Sequence, residues 1–366
     1  MDPRILEPKP PKKLLALDGG GIRGLISIEI LAEIERQLQT KLGRDDSFVL
    51  ADYFDYIAGT STGAIIGTCL ALGMRVREIA TFYEHSGPAM FDRASWLRRF
   101  NYKYEDARIT QNLKDVFGAD TSLGSEELRT LLLLVLRNAT TDSPWLISNN
   151  PSAKYNAPER QDSNLRLPLW QLVRASTAVP VYFPPEVAQV GNISFVLQDG
   201  GMTMYNNPAF QLFLRATVEA YNLGWRAGEK EMLVVSIGTG SNPHANTNLA
   251  PGETNLLYNA SSISSALMFA ASNEQDFLCR VFGKCVVGEW VDREVGNMVG
   301  ERGPVFPKLF TYLRYNAELS VEGLDALGLG DLHPEDVQQM DSVDHIPELQ
   351  EVGRVVAKKV RAEHFF

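Results

Sequence analysis

The sequence lacks the features that mark secreted, membrane-spanning or metal-binding proteins. Its 366 residues contain only three cysteines, Cys69, Cys279 and Cys285, and an odd, sparse set does not build a disulfide framework. The cysteine spacing does not match a metal site either, so we expect neither a metal nor a cofactor. The N-terminus has no apolar signal core, and no apolar run approaches the ~20 residues that span a bilayer. We therefore expect a cytoplasmic protein whose membrane contact is transient and peripheral.

The chain also lacks an excess of positive charge. It has 35 Lys and Arg against 45 Asp and Glu, a formal net charge of -10, which argues against a nucleic-acid partner. Residues 90–104 are an exception, because aromatic side chains alternate there with arginine and lysine. One interpretation is a lid that touches lipid head groups and acyl chains. The other is a solvent-facing segment whose long side chains lie over the core.

Residues 53–67 contain the pattern around which the chain is organised. An aromatic and apolar strand leads into Gly59-Thr60-Ser61-Thr62-Gly63, and a helix of small residues follows. Such a strand–turn–helix lifts the serine hydroxyl clear of the sheet, and only glycines allow so sharp a turn on both sides of Ser61. The helix N-terminus adds positive potential beside the hydroxyl. Taken alone, the pattern also fits an ordinary turn capped by a serine.

A second glycine-rich turn, residues 18–24 (the glycine loop), lies between a short apolar strand and an amphipathic helix. Backbone N–H groups at such a place bind anions. One interpretation is dinucleotide binding, which requires an acidic residue about 20 positions later at a strand end. Asp45 and Asp46 have that spacing, but they fall in a polar loop before the second strand. The other is an oxyanion hole for acyl transfer, which the nearby Ser61 turn favours.

Further strands complete an α/β pattern. An apolar run at 193–198 ends at Asp199-Gly200-Gly201, and the continuous apolar run 232–237 suits a central parallel strand. The carboxyl ends of parallel strands meet at one edge of a sheet, so Asp18, Ser61 and Asp199 are expected there together. Other expected elements are strands at 131–136, 144–148 and 309–314, a loop at 149–164, and helices at 76–83, 125–128, 169–176, 208–220, 263–282 and 346–361.

Together these motifs resemble those of the patatin-like phospholipase family. The similar segments are Asp18–Gly24, Gly59–Gly63, Arg174–Pro180, Tyr182–Pro185 and Asp199–Gly201. The resemblance implies a three-layer α/β sandwich with a mostly parallel central sheet and helices on both faces. We expect an N-terminal extension at 1–12, a catalytic core at 13–240, and a mostly helical elaboration of the same domain at 241–366.

The resemblance also implies a lipid acyl hydrolase with a serine–aspartate dyad. Ser61 would be the nucleophile and Asp199 its base, and the substrate would be a phospholipid or another acyl lipid. The implied oxyanion loop comprises Gly19, Gly20, Gly21 and Arg23. The residues expected to support these motifs are Asp18, Gly24, Gly59, Gly63, Gly200 and Gly201. Asp18 is expected to anchor the glycine loop by accepting backbone N–H groups.

Three alternatives remain open at this stage. A Ser-Asp-His esterase would need a C-terminal histidine such as His333 or His345. A regulated phospholipase effector would be silent until a small ligand or partner opened it. A dinucleotide-binding oxidoreductase would use the glycine loop for the cofactor's pyrophosphate.

Overall fold

The computed structural model describes residues 10–91, 102–180, 183–241 and 256–366, apart from the side chains of residues 89, 102–108 and 256–265. The strands are β1 Lys12–Leu17, β2 Tyr56–Thr60, β3 Leu131–Asn138, β4 Ser143–Ser148, β5 Glu186–Val190, β6 Ile193–Asp199, β7 Met232–Ile237, β8 Lys284–Val287 and β9 Thr311–Tyr315. The helices are α1 Gly24–Lys41, α2 Thr62–Ala71, α3 Val76–Phe91, α4 Tyr102–Phe117, α5 Leu169–Ser176, α6 Ala209–Thr217, α7 Leu256–Phe282, α8 Val321–Ala326, α9 Pro334–Gln338 and α10 Ile346–Ala357.

One sheet joins all nine described strands. Its order is β5-β6-β3-β2-β1-β7-β9-β8, and β4 also pairs with β3. The six strands from β3 to β8 in this order are parallel to their neighbours, whereas β4, β5 and β6 pair antiparallel. The predicted mostly parallel α/β sheet is therefore confirmed.

Both faces of the sheet are covered. Along β1, Leu15 and Leu17 belong to one apolar cluster, which takes in side chains of α1, α2, α5 and α10. Leu14 and Ala16 point the other way, into a second cluster with side chains of α6 and the end of α7. Alternation along a strand sends successive side chains to opposite faces, so the continuous apolar run is what a central strand between two helical layers requires.

The register of β3 shows how β2 and β6 meet. β4 pairs with β3 along residues 133–138 and therefore occupies one side of it. β2 pairs with residues 131–135 and β6 with residues 136–138, so both must lie on the other side. They run in opposite directions and end against each other, β2 at Thr60 and β6 at Asp199.

The C-terminal part of the chain adds both strands and helices to this sheet. β9 pairs with β7, β8 pairs with β9, and α10 packs along α1. The hydroxyl of Tyr53, just before β2, donates to the backbone carbonyl of Phe365. On these contacts we propose that residues 241–366 belong to the same domain as the N-terminal core.

Most predicted elements are present, but one helix is missing and several bounds differ. α3 continues to Phe91 rather than ending at 83, α7 begins at Leu256 rather than at 263, and α10 ends at Ala357 rather than at 361. No helix forms at 125–128, where Ser125 Oγ instead accepts the N–H of Glu127 in a turn, because serine side chains compete with helical hydrogen bonds. α6 ends at Thr217 rather than at 220, since Val218 has extended backbone angles. The predicted lid rests mainly on residues 92–101, which lie outside the described residues. No helix in the described part combines the length and apolarity needed to cross a membrane.

Candidate active site

Ser61 occupies a strained turn between β2 and α2. Its backbone angles are φ 54° and ψ -121°, a region that non-glycine residues rarely adopt and that clusters at functional sites. A Cβ atom placed on Gly59 would lie 2.1 Å from the carbonyl oxygen of Gly63. One placed on Gly63 would lie 2.3 Å from the carbonyl oxygen of Leu17. The two flanking glycines are therefore required by close backbone approach.

The structure brings Ser61 and Asp199 into direct contact. Ser61 Oγ donates to Asp199 Oδ2 at 2.6 Å, and the N–H of Gly201 donates to Asp199 Oδ1 at 2.6 Å. Gly200 passes so close to β3 that an added Cβ would lie 2.2 Å from the Val135 carbonyl oxygen. Asp199 was expected at the end of a parallel strand. It reaches the site on an antiparallel one, because β6 ends head-on against β2.

The Asp199 carboxyl is held in a low-dielectric environment. Its side chain is buried, and this burial raises its pKa to about 7 against the lowering effects of the Ser61 and Gly201 hydrogen bonds and of the Arg174 charge. A carboxylate with a pKa near neutrality is a stronger base than an exposed one and is still about half ionised at neutral pH. This combination is common at catalytic centres.

Ser176 fixes the backbone of Ser61. Its hydroxyl accepts the Ser61 N–H at 3.0 Å and donates to the carbonyl of Val135 at 2.7 Å. Ser176 is fully buried at the end of α5. Its role was not predicted from the sequence, although a serine that ends an amphipathic helix beside the Ala178–Pro180 turn offered a signal.

The glycine loop runs beside Ser61. A Cβ on Gly19 would lie 3.1 Å from Ser61 Cβ. The N–H of Gly19 donates to the Asn206 carbonyl at 3.2 Å, and the N–H of Arg23 donates to the Gly20 carbonyl at 3.3 Å. Within the described part of the chain, the N–H groups of Gly20 and Gly21 have no acceptor, and Gly21 has the left-handed φ of +62°. Two adjacent backbone donors of the loop are thus left without a protein partner among the described residues.

Residues 338–340, which we call the C-terminal strap, hold the other side of this loop. The carbonyl of Met340 accepts the Ile22 N–H at 2.9 Å, and the carbonyl of Gln338 accepts from Arg23 Nη1 at 3.1 Å. The side chain of Gln338 donates in turn to the Leu319 carbonyl at 2.7 Å. These contacts could not be predicted from the residue types, because the strap supplies only backbone atoms to the loop.

Asp18 is anchored differently from the expectation. The hydrogen bonds that its carboxylate accepts come from the guanidinium of Arg314 on β9 rather than from backbone N–H groups. Burial opposes the charge of Arg314, but the Asp18 carboxylate outweighs this effect and raises the pKa of the guanidinium. The carbonyl of Gly19 accepts from the Thr239 hydroxyl at 2.8 Å. Side chains from β9 and from the end of β7 thus fix the start of the loop.

No described histidine hydrogen-bonds to Ser61 or Asp199. His345 lies beside Asp336 at 3.3 Å and Glu348 at 3.6 Å, and His364 hydrogen-bonds to Tyr315. His333 precedes α9, and His244 lies outside the described residues. These contacts give no support to a Ser-Asp-His triad.

Neither candidate for the ribose-binding acid of a dinucleotide site lies at a strand end. Asp45 is exposed and accepts from the backbone and hydroxyl of Ser47, and Asp46 lies in the same loop. The dinucleotide interpretation therefore finds no support in the described residues. Among those residues, no group of three His, Cys, Asp or Glu side chains is placed to hold a metal ion.

The fold and this site define a class: an α/β protein with a serine on a sharp strand–helix turn and a carboxylate bonded to it. The family model "Patatin-like phospholipase" matches residues 15–213. The chain belongs to the patatin-like phospholipase family.

Three curated relatives illustrate the similarity. An "Intracellular phospholipase A2" of Caenorhabditis elegans is 34% identical over 236 residues, which cover 63% of this chain and 20% of that protein. "Patatin group J-1" of Solanum tuberosum is 30% identical, with 63% of this chain and 60% of that protein covered. A "cGAMP-activated phospholipase" of Vibrio cholerae is 29% identical, with 56% and 59% covered. The matches thus span from a fifth to about three fifths of these relatives.

Proposed function

We propose that the protein is a lipid acyl hydrolase that cleaves carboxylic esters through an acyl-enzyme on Ser61. The observation that carries this proposal is the 2.6 Å hydrogen bond from Ser61 Oγ to Asp199 Oδ2. This bond supports the proposal because nucleophilic catalysis by a serine needs a proton acceptor within hydrogen-bond reach of the hydroxyl. Membership of the family and relatives named as phospholipases support lipid esters as the substrate class.

In the first half of the reaction, Ser61 Oγ attacks the ester carbonyl carbon while Asp199 takes the hydroxyl proton. The carbonyl oxygen becomes an oxyanion, which the N–H groups of Gly20 and Gly21 stabilise. The C–O bond to the leaving alcohol then breaks, and Asp199 returns the proton to that alcohol. The products of this half are the acyl-serine and the lyso lipid.

In the second half, Asp199 takes a proton from a water molecule that attacks the acyl carbon. The same two N–H groups stabilise the second oxyanion. When the bond to Ser61 breaks, the serine oxygen recovers a proton from Asp199 and the fatty acid leaves. Because one carboxyl alternates between base and acid, its pKa of about 7 suits both steps.

Apolar side chains near α2 offer a surface for the acyl chain. A small cavity of about 10 Å³ is lined by Ile65, one turn after Ser61, by Arg174 and Thr177, and by the apolar side chains of Met90, Phe91, Ile109, Leu113 and Phe183. This volume holds no acyl chain. Binding of an acyl chain at this place would therefore require these side chains to separate.

A regulated phospholipase is the second candidate. The relatives from Vibrio cholerae and Escherichia coli that are named "cGAMP-activated phospholipase" favour it. In that case hydrolysis by the purified chain would appear only when an activating ligand is added. Assaying the wild type with and without cGAMP separates this candidate from a constitutive hydrolase.

The deciding experiment is mass spectrometry of the products from a mixed panel of phospholipids, galactolipids and neutral esters. Wild type is compared with Ser61→Ala and Asp199→Asn, each with and without cGAMP. Matched controls are Ser47→Ala and Asp331→Asn, which change exposed residues. We expect both site variants to lose several powers of ten in rate, as deletions of nucleophile or base do.

Three results of the same lipid assay would overturn the proposal. Fatty acid release by Ser61→Ala at the wild-type rate would remove Ser61 as the nucleophile. Full activity of Asp199→Asn would remove Asp199 as the base. If neither fatty acid nor lyso lipid appeared from wild type in any condition, lipid hydrolysis itself would be refuted.

A further inference from the structure

A polar pocket of about 100 Å³ lies between the glycine loop, the C-terminal strap and α7. Ser61 and Asp199 are not among the residues that line it. The volume has room for several water molecules or for one small polyatomic ion. It is therefore a site distinct from the serine–aspartate pair, although it shares Gly19 with the loop beside Ser61.

Arg23 is a charged side chain of this pocket for which no ion-pair partner is found among the described residues. It is 94% buried, since only 6% of its surface is exposed. Its side chain donates hydrogen bonds to two neutral acceptors, the carbonyls of Gly20 at 3.4 Å and Gln338 at 3.1 Å. A guanidinium has five N–H donors, and no carboxylate among the described residues forms an ion pair with Arg23. Its Nη2 group has no protein acceptor among the described residues and is not among the buried unpaired atoms, so it is accessible to solvent where Arg23 lines the pocket.

The charge of the pocket is not balanced. Of the side chains that the structure describes, three charged ones line it: Asp18, Arg23 and Arg314. Arg314 and Asp18 neutralise each other through their two hydrogen bonds, so one positive charge is left on Arg23. Burial lowers the pKa of Arg23 to about 10 despite the opposing effect of Asp18, so it stays charged at neutral pH. Buried charges in proteins are as a rule paired.

Polar atoms around Arg23 complete the site. Asn206 Oδ1 is buried without a donor, and its amide nitrogen contacts Ser272 Oγ at 3.1 Å. Ser272 and Asn273 line the pocket from α7. An arginine fork with nearby amide and hydroxyl groups matches the oxygen atoms of phosphate or carboxylate.

We propose that this pocket binds a small anionic group, phosphate or carboxylate in chemistry, on the guanidinium of Arg23. Because Arg23 also contacts the carbonyls of Gly20 and Gln338, the bound anion shares a side chain with both the glycine loop and the C-terminal strap. Anion binding therefore affects the position of the glycine loop beside Ser61. The site goes beyond the proposed hydrolysis and does not depend on it.

The test measures binding of inorganic phosphate by thermal unfolding at constant ionic strength. A ligand that binds only the folded state raises the unfolding temperature with the logarithm of its concentration. We expect this rise in wild type, in Ser61→Ala and in Arg226→Gln, a control that removes an exposed positive charge elsewhere. We expect none in Arg23→Gln. No rise in wild type, or an equal rise in Arg23→Gln, overturns the proposal.

A second variant covers the case in which Arg23→Gln does not fold. Asn273→Asp keeps the shape of the side chain and adds a negative charge to the pocket. Like charges in a buried site repel, so the dissociation constant for phosphate should rise about tenfold or more. Unchanged affinity in Asn273→Asp contradicts the proposal. This readout does not require hydrolysis, so it stands even if the proposed function fails.

Kinetics then identify the source of the anion. If the pocket receives the phosphate of a lipid substrate, inorganic phosphate competes and raises KM without changing kcat. If it receives a separate soluble ligand, inorganic phosphate changes kcat and leaves KM unchanged. Either result supports the site, whereas identical kinetic constants at phosphate concentrations that saturate the thermal shift contradict its link to the loop.

Discussion

Arg314 donates two hydrogen bonds to Asp18 across 296 positions of sequence, Nη1 to Oδ1 at 3.0 Å and Nη2 to Oδ2 at 2.6 Å. The side chains are only 5% and 6% exposed. Asp18 is the first residue of the glycine loop, and Arg314 lies on β9. The loop beside Ser61 is therefore anchored by an ion pair whose second member lies outside the segment that matches the family model.

Removing Arg314 should destabilise the fold strongly. Arg314→Met leaves the Asp18 carboxylate buried and unpaired, and breaking such a pair costs about 3–5 kcal/mol. Urea unfolding measures the loss. The control Arg354→Met removes a half-exposed arginine that lies 3.4 Å from Glu29, for which a cost below about 1 kcal/mol is expected. Equal losses in the two variants would show that the buried pair is energetically unimportant.

Hydrolysis should increase with pH through neutrality. Asp199 must be ionised to take the serine proton, and its pKa is raised to about 7 by burial. We therefore expect kcat/KM on a soluble ester to rise up to about pH 7 and to level off above it. A profile that is flat between pH 5 and 9, measured where the fold is intact, would contradict Asp199 as the base.

Stability should show the opposite dependence on pH. Because the folded-state pKa of Asp199 lies above its ordinary value of 3.8, the folded state binds more protons between about pH 4 and 7. The contribution of Asp199 to stability is thus complete below this range and falls as the pH rises through it. The measurement is the difference in unfolding temperature between wild type and Asp199→Asn at each pH. A difference that does not decline with pH would contradict the raised pKa.

Gly21→Ala should lower kcat by more than the strain of a left-handed backbone conformation alone would cause. Gly21 has φ +62°, and an added Cβ would lie 2.2 Å from the carbonyl oxygen of Met340. Gly43 has φ +61° with open space around it, so Gly43→Ala carries only the left-handed penalty of about 1–2 kcal/mol. We expect a drop in kcat of tenfold or more, about 1.4 kcal/mol, for Gly21→Ala alone. Similar kcat values in the two variants would count against a loop positioned by the strap.

Ser176→Ala should loosen the turn at Ser61. It removes the acceptor of the Ser61 N–H and the donor to the Val135 carbonyl, both buried, and unsatisfied buried groups cost about 1–3 kcal/mol each. Both stability and kcat are expected to fall. The control Ser194→Ala removes an exposed hydroxyl bonded to Gln189 and should stay within about 0.5 kcal/mol of wild type. Wild-type kcat in Ser176→Ala would mean that the backbone conformation at Ser61 does not depend on the Ser176 hydrogen bonds.

The local elements were predictable because local chemistry determines them. The apolar runs of β1, β3 and β7 identified buried strands, and glycines on both sides of Ser61 identified the sharp turn. These patterns depend on residues that are adjacent in sequence, and for that reason the elements they predict are present in the fold. The helix expected at 125–128 failed for the same local reason, since a serine side chain captured the backbone instead.

The arrangement of strands was not predictable in the same way. Placing Asp199 against Ser61 depends on β6 running antiparallel and pairing with only the last three residues of β3. The residue types at 193–199 do not indicate whether this strand pairs parallel or antiparallel with its neighbour. Arg314 within a strand was a better signal, because a charge in an apolar strand implies a buried partner, although it does not say which one.

The bond between the Ile22 N–H and the Met340 carbonyl has a consequence for biosynthesis. A ribosome releases Ser61 and Asp199 long before it releases residue 340, so a growing chain holds its reactive hydroxyl next to a glycine loop without its strap. We expect such a nascent chain to leave cellular lipids intact, and to acquire esterase competence only when translation has passed that position. The strap contact thereby ties completion of the glycine loop to the synthesis of residue 340.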